Sequence, residues 1–120
     1  MPRLTRTKQQ RQKPSLRERP PLTTAQVGGL RDLFKILASE TRLRLIHALV
    51  QDEERCVSDL AEAVGMKPQA VSNQLQRLLD RGIVASRREG SNVFYRIDDP
   101  CVAILIDRGL CLLEDVGGLA

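Results

Sequence analysis

Two sets of side chains in this 120-residue sequence are of a kind that does chemistry. The first is Gln69, Ser72, Asn73, Gln76 and Arg77. Their amide, hydroxyl and guanidinium groups recur every three or four residues, so on a helix they share one face. With Lys67 just ahead of them, that face suits base edges and phosphates in a DNA major groove. The second set is Cys56, Cys101 and Cys111. Their number is odd and no two are spaced CxxC, which argues against a secreted disulfide framework and against a thioredoxin-type site. As thiolates they can bind soft metal or metalloid ions, and as a pair they can be oxidised. As plain thiols they can be small buried hydrophobes. On the residues alone all three readings stand.

The polar face needs a scaffold, and the stretch from Val57 to Val84 supplies one. Leu60, Ala61 and Val64 fall on one side of a short helix, with Ser58 as the expected N-cap and Gly65 as the stop. Pro68 opens the next helix, whose apolar face is Val71, Leu75, Leu78 and Leu79 and whose end is Gly82. This is a helix-turn-helix. It is followed by two β-forming runs, Ile83 to Arg88 and Val93 to Ile97, around the polar tip Glu89, Gly90, Ser91 and Asn92. Such a hairpin directly after the reading helix is a wing, with Arg87, Arg88 and Arg96 flanking its tip where phosphates would lie. The fold class expected is mainly α with a small β-hairpin, a winged helix-turn-helix.

Further elements frame this unit. Thr23 to Ala38 reads as a first helix with the stripe Val27, Leu30, Leu33, Phe34 and Leu37, and it is expected to fray at Gly28 and Gly29. Ser39 caps a second helix that runs to Gln51 and carries His47, the only histidine, which reads as a structural residue. Cys56 and Val57 read as a very short strand. Asp98, Asp99 and Pro100 start a last helix, Cys101 to Glu114, that is apolar nearly all round. That much apolar surface points to packing against a second copy, although it can also close the chain's own small core.

Composition bounds the rest. A chain of this length forms one domain, and two Phe, one Tyr and no Trp leave a core of aliphatic side chains. The net charge of +4 is uneven: residues 1–22 hold seven bases and one acid, and residues 23–120 hold twelve bases and fourteen acids. Residues 1–22 therefore read as a disordered basic arm and residues 23–120 as the DNA-binding and dimerisation domain. No apolar run of membrane-spanning length and no signal-peptide pattern occurs, so a cytoplasmic protein with no membrane partner is expected. With no Cys–His pairing, Gly-rich phosphate loop or nucleophile elbow, an enzyme is not expected. A thiol enzyme or a protein-interaction module is the remote alternative.

Four segments together carry a specific resemblance: LASETRLRLIHAL at 37–49, ERCVSDLAEAVGM at 54–66, AVSNQLQRLLDRGIV at 70–84 and REGSNVFYRI at 88–97. From Leu33 to Glu114 the chain resembles the ArsR/SmtB family of winged-helix metalloregulatory repressors. The resemblance implies a homodimer paired through its first and last helices on a double-stranded DNA operator. It also implies an effector whose binding lowers DNA affinity.

The resemblance further directs the reading of the thiols. Cys56 matches the first Cys of the ELCVCDL motif of thiolate-using members, but Ser58 stands where the second would be. In the last helix Asp99-x-Cys101 resembles the family's Asp-x-His zinc pair with sulfur for imidazole, and Cys111-x-x-Glu114 resembles its second pair, one residue out of register. Thiolate donors favour As(III), Hg(II) or Cd(II) over Zn(II). Ten helical residues rise about 15 Å, so Cys101 and Cys111 of one chain cannot share an ion, whereas antiparallel copies can bring Cys111 of one towards Cys101 of the other. Cys56 and Cys101 are expected as neighbours beside the second wing strand. The candidate metal site is thus Cys56, Cys101 and Cys111. The alternative within the same fold is a thiol redox or sulfide switch.

Overall fold

The computed structural model describes residues 13–115. Its elements are α1 (Thr24–Leu37), α2 (Glu40–Asp52), β1 (Arg55–Cys56), α3 (Val57–Val64), α4 (Pro68–Asp80), β2 (Val84–Glu89), β3 (Asn92–Ile97) and α5 (Pro100–Asp115). The first twelve residues of the basic arm lie outside the described part. Residues 13–22 form an exposed turn, in which Glu18 N–H donates to Ser15 O at 3.1 Å, and then lead into α1.

Local sequence explains where the helices begin and end. Thr23 and Gln26 form a reciprocal capping box at the start of α1, with bonds of 2.9 and 3.1 Å. That box secures the first turn, and α1 runs unbroken through Gly28 and Gly29, correcting the expected fraying. Among the described residues, no other backbone approaches either glycine. Ser39 Oγ accepts from Arg42 N–H as the cap of α2. The cap expected at Ser58 is displaced: α3 begins at Val57, its N-cap is Cys56, and no side chain caps it. The reason is the strand, which holds Cys56 in extended backbone up to the first helical residue.

Two glycines make the turns that shape the helix-turn-helix. Gly65 takes φ 70 after α3, where its N–H reaches Glu62 O and Met66 N–H reaches Ala61 O. Gly82 takes φ 74 after α4, where its N–H reaches Leu79 O and Ile83 N–H reaches Leu78 O. This pair of bonds around a left-handed residue satisfies the last helical carbonyls and sends the chain straight into the wing. Each wing strand begins and ends within one residue of the expected bounds.

The sheet has the order β1-β3-β2, antiparallel throughout. The core lies between α2, α3, α4 and the sheet. It is aliphatic as composition requires: Leu45, Ile46, Leu60, Val71, Leu75 and Leu78 are fully enclosed, with Tyr95 the one buried aromatic. The outer helices contribute little to it. α1 buries only Leu37 and α5 only Val102, while Val27, Leu30, Phe34, Ile104, Leu110 and Leu112 remain exposed. No helix of the described residues is long and apolar enough to cross a membrane.

Candidate nucleic-acid interface and the three thiols

α4 is held from beneath and open above. Pro68 at its first turn presets the backbone, and Val71, Leu75 and Leu78 pin one face into the core. The helix period then sends the opposite face out, where Gln69, Asn73, Gln76 and Arg77 are exposed and Ser72 is half-buried. Lys67, also exposed, is the N-cap residue. Gln76 Nε2 donates to Asp80 Oδ1 at 2.8 Å. Its amide is thereby oriented along the helix, with the carbonyl oxygen left as an acceptor.

A residue that sequence reasoning missed fixes how α4 sits. Arg42, in the first turn of α2, donates from Nε to Ile36 O at 2.7 Å and from Nη1 to Gln74 Oε1 at 2.6 Å. One half-buried guanidinium therefore ties the C-terminal end of α1 to the inner side of α4. A cation in a first helical turn opposes that helix's own dipole. At the end of α1, however, it meets a carbonyl that has no partner within the helix. The signal available in the sequence was that unfavourable placement of Arg42 on α2.

The two arginines of β2 differ. β2 and β3 pair from Val84↔Ile97 to Glu89↔Asn92, and Gly90 with φ 65 opens the two-residue tip. Arg88 is exposed, with no recorded ion pair among the described residues. Arg87 donates to Glu54 through Nε at 2.9 Å and Nη2 at 2.8 Å, and to Glu89 through Nη1 at 2.8 Å. Its guanidinium also lies 4.8 Å from the centroid of the Phe94 ring. The hydrogen bonds from Arg87 hold the Glu54 carboxyl below its usual range, and those to Glu54 and Glu89 raise Arg87 further above its own. Arg87 was expected to meet phosphate, but here it is engaged within the protein.

All three thiols are free. Cys56 is half-buried at the end of β1, with Sγ 3.3 Å from Ser58 Oγ. Cys101 is half-buried in the first turn of α5, and its N–H donates to Asp99 Oδ1 at 3.0 Å. Cys111 is exposed one turn before the end of α5, its Sγ 3.9 Å from Asp115 Oδ2. β1 pairs with β3 as expected, with Cys56 opposite Phe94, and Cys101 follows the end of β3 by four residues. Among the described residues of one chain, no three His, Cys, Asp or Glu side chains are grouped to hold a metal ion. His47 is instead one wall of an apolar groove of about 430 Å³ between α2 and α5, with Ile46, Val50, Ile104, Asp107 and Leu110.

Comparison with known proteins agrees with this geometry. Residues 39–86 match the sequence model of the bacterial regulatory protein, arsR family. The cadmium resistance transcriptional regulatory protein CadC of Listeria innocua is 36% identical over 83 residues, 69% of this chain and 70% of that protein. Among solved structures, the AntR antimony-specific transcriptional repressor superposes with TM-score 0.75 at 57% identity, covering 88% of this chain and 95% of that one. A homodimeric winged helix-turn-helix DNA-binding domain from Mycobacterium bovis gives TM-score 0.70 at 32% identity, covering 81% and 89%.

Proposed function

The chain belongs to the arsR family of bacterial regulatory proteins, a family of winged-helix transcriptional regulators rather than enzymes, and from that premise we propose that it is a dimeric repressor released from its operator by a thiophilic ion. On this reading α4 reads base edges through Gln69, Ser72, Asn73 and Gln76, while Lys67, Arg77 and Arg88 meet phosphates. Residues 1–22 add a basic arm that follows the DNA backbone. Two copies joined through α1 and α5 present two such heads to an inverted repeat. The setting is the cytoplasm, where the thiols stay reduced.

The donor set carries the choice of effector: three thiols, and a single histidine that lines the α2–α5 groove. Sulfur-only donors suit As(III), Hg(II) and Cd(II), and disfavour a zinc site. The relatives named for cadmium and for antimony lie on the same side of that division, and the latter adds Sb(III) to the candidates. Cys101 sits in the first turn of α5, half-buried beside Asp99. Cys56, Cys101 and Cys111 would hold the ion, with Cys111 supplied across the dimer. An ion so bound supplies only a cross-link between soft donors. Repression is lifted if the linked conformation is one that binds DNA less well.

A gel-shift series tests this reading. Reduced protein on the DNA upstream of its own coding sequence is challenged separately with As(III), Sb(III), Hg(II), Cd(II), Zn(II) and a persulfide donor. Release by the soft ions without oxidant, and retention with Zn(II), is the expected result. Release by the persulfide donor alone would replace the ion sensor with a thiol redox switch.

A further inference from the structure

Glu54, Cys56, Phe94 and Arg87 meet on one side of the small sheet. Cys56 on β1 is the partner of Phe94 on β3, and Phe94 is the partner of Arg87 on β2, so the three form one row across all three strands. Directly opposed residues send their side chains to the same face. Glu54 precedes Cys56 by two residues on the same segment. It is presented by a γ-turn at Glu53, φ 63 and ψ −51, closed by Glu54 N–H on Asp52 O at 2.5 Å.

Side chains add to a short backbone join in this row. β1 contributes only Arg55 and Cys56 to the ladder, whereas β2 and β3 share six pairs. Across that weak join, Arg87 grips both oxygens of Glu54 and stacks on Phe94. A fork-to-fork pair fixes orientation as well as distance, which a single charge contact does not. All three guanidinium nitrogens of Arg87 are engaged by Glu54 and Glu89. Although exposed, the guanidinium thus bridges Glu89 at the end of β2 and Glu54 on the segment that carries Cys56.

We propose that Glu54 and Arg87 are positioning residues that clasp the wing to the strand bearing Cys56, and that ligation at Cys56 reaches the wing through this clasp. The inference rests on the reading of Cys56 as a thiolate ligand. It adds the route by which an event at β1 alters a DNA-contacting element that does not itself hold an ion. A small displacement of β1 breaks the paired geometry between Glu54 and Arg87. β2 then loses its tie to the β1 segment and keeps its ladder with β3 and the anchorage of Val84 in the core, so that the outer part of the wing changes its angle to α4.

The test uses the full-length dimer and the variants Glu54→Gln, Arg87→Gln, their double mutant and Arg88→Ala. Three quantities are read with and without Sb(III): thiolate-to-ion absorption, operator affinity and its salt dependence, and amide exchange across residues 84–97. Glu54→Gln and Arg87→Gln keep the absorption, exchange faster in the hairpin before any ion is added, and lose roughly tenfold of the ion-induced fall in affinity. The double mutant is no worse than either single one, as befits one shared interaction. Arg88→Ala alone lowers the salt slope, by about one. A Glu54→Gln protein that releases DNA as fully as wild type overturns the clasp. So does an Arg87→Gln protein whose salt slope falls like that of Arg88→Ala, since Arg87 would then be a phosphate contact. A wild-type protein with no thiolate absorption overturns the ion-sensing reading itself, and the coupling with it.

Discussion

α4 and α5 are both amphipathic helices that leave one side uncovered, and the chemistry of the uncovered side separates their roles. α4 buries Val71, Leu75 and Leu78 and exposes Gln69, Asn73, Gln76 and Arg77. α5 buries only Val102 and exposes Ile104, Leu110, Leu112 and Leu113. A polar face with amides and a guanidinium loses little in water and gains on meeting base edges and phosphates. An apolar face of that length is unfavourable in water and is covered by another apolar face. α1, with Val27, Leu30 and Phe34 exposed, has the matching surface. The two helices thus point to two partners, DNA for α4 and a second copy for α5.

The largest expected effect breaks the α5 side. Leu110 is half exposed in the single chain, so Leu110→Asp leaves the monomer fold intact while placing an unpaired charge in the dimer contact. Sedimentation should show monomers at concentrations where the wild type is dimeric. Operator affinity should then fall by about 10²-fold or more, because two linked heads become one. A Leu110→Asp protein that stays dimeric would move the interface elsewhere. Leu105 is a poorer probe, since it is packed against the chain's own core and a charge there would damage the monomer as well.

A smaller effect sharpens the α4 side. Asn73→Ala removes an exposed amide with no role in the core. It should cost about 1–3 kcal/mol of operator binding, roughly 5- to 150-fold, with thermal stability and non-specific binding unchanged. Equal losses on operator and random DNA would mean that Asn73 does not read bases.

Much of this architecture was legible in the sequence because it is written in short-range patterns. The apolar repeat of α4, Pro68 at its start, and Gly65 and Gly82 at the left-handed turns placed the helix-turn-helix within a residue or two. What escaped depends on contacts between distant segments. Arg87 and Glu54 are 33 residues apart and Arg42 and Gln74 are 32 apart, so neither pairing shows in local spacing, and Arg87 looked like a free cation. The cap of α3 was misread at Ser58 because the pairing of β1 with β3, which holds Cys56 extended, is also long-range. Gly28 and Gly29 misled in the opposite way, since their helical cost is offset by the capping box and the packing that follows.

On the proposed reading, thiols on β1 and α5 govern DNA held by α4. The most direct measurement is operator affinity by fluorescence anisotropy for wild type, Cys56→Ser, Cys101→Ser and Cys111→Ser, each with and without As(III) or Sb(III). All four proteins should bind the operator alike without the ion, because no thiol lies on the exposed face of α4. With the ion, wild type should release DNA, Cys56→Ser and Cys101→Ser should hold it, and loss of response in Cys111→Ser would assign that thiol to a site shared between subunits. If Cys56→Ser and Cys101→Ser both release DNA as fully as wild type, the thiols are not the sensor, and only the DNA-binding winged helix remains.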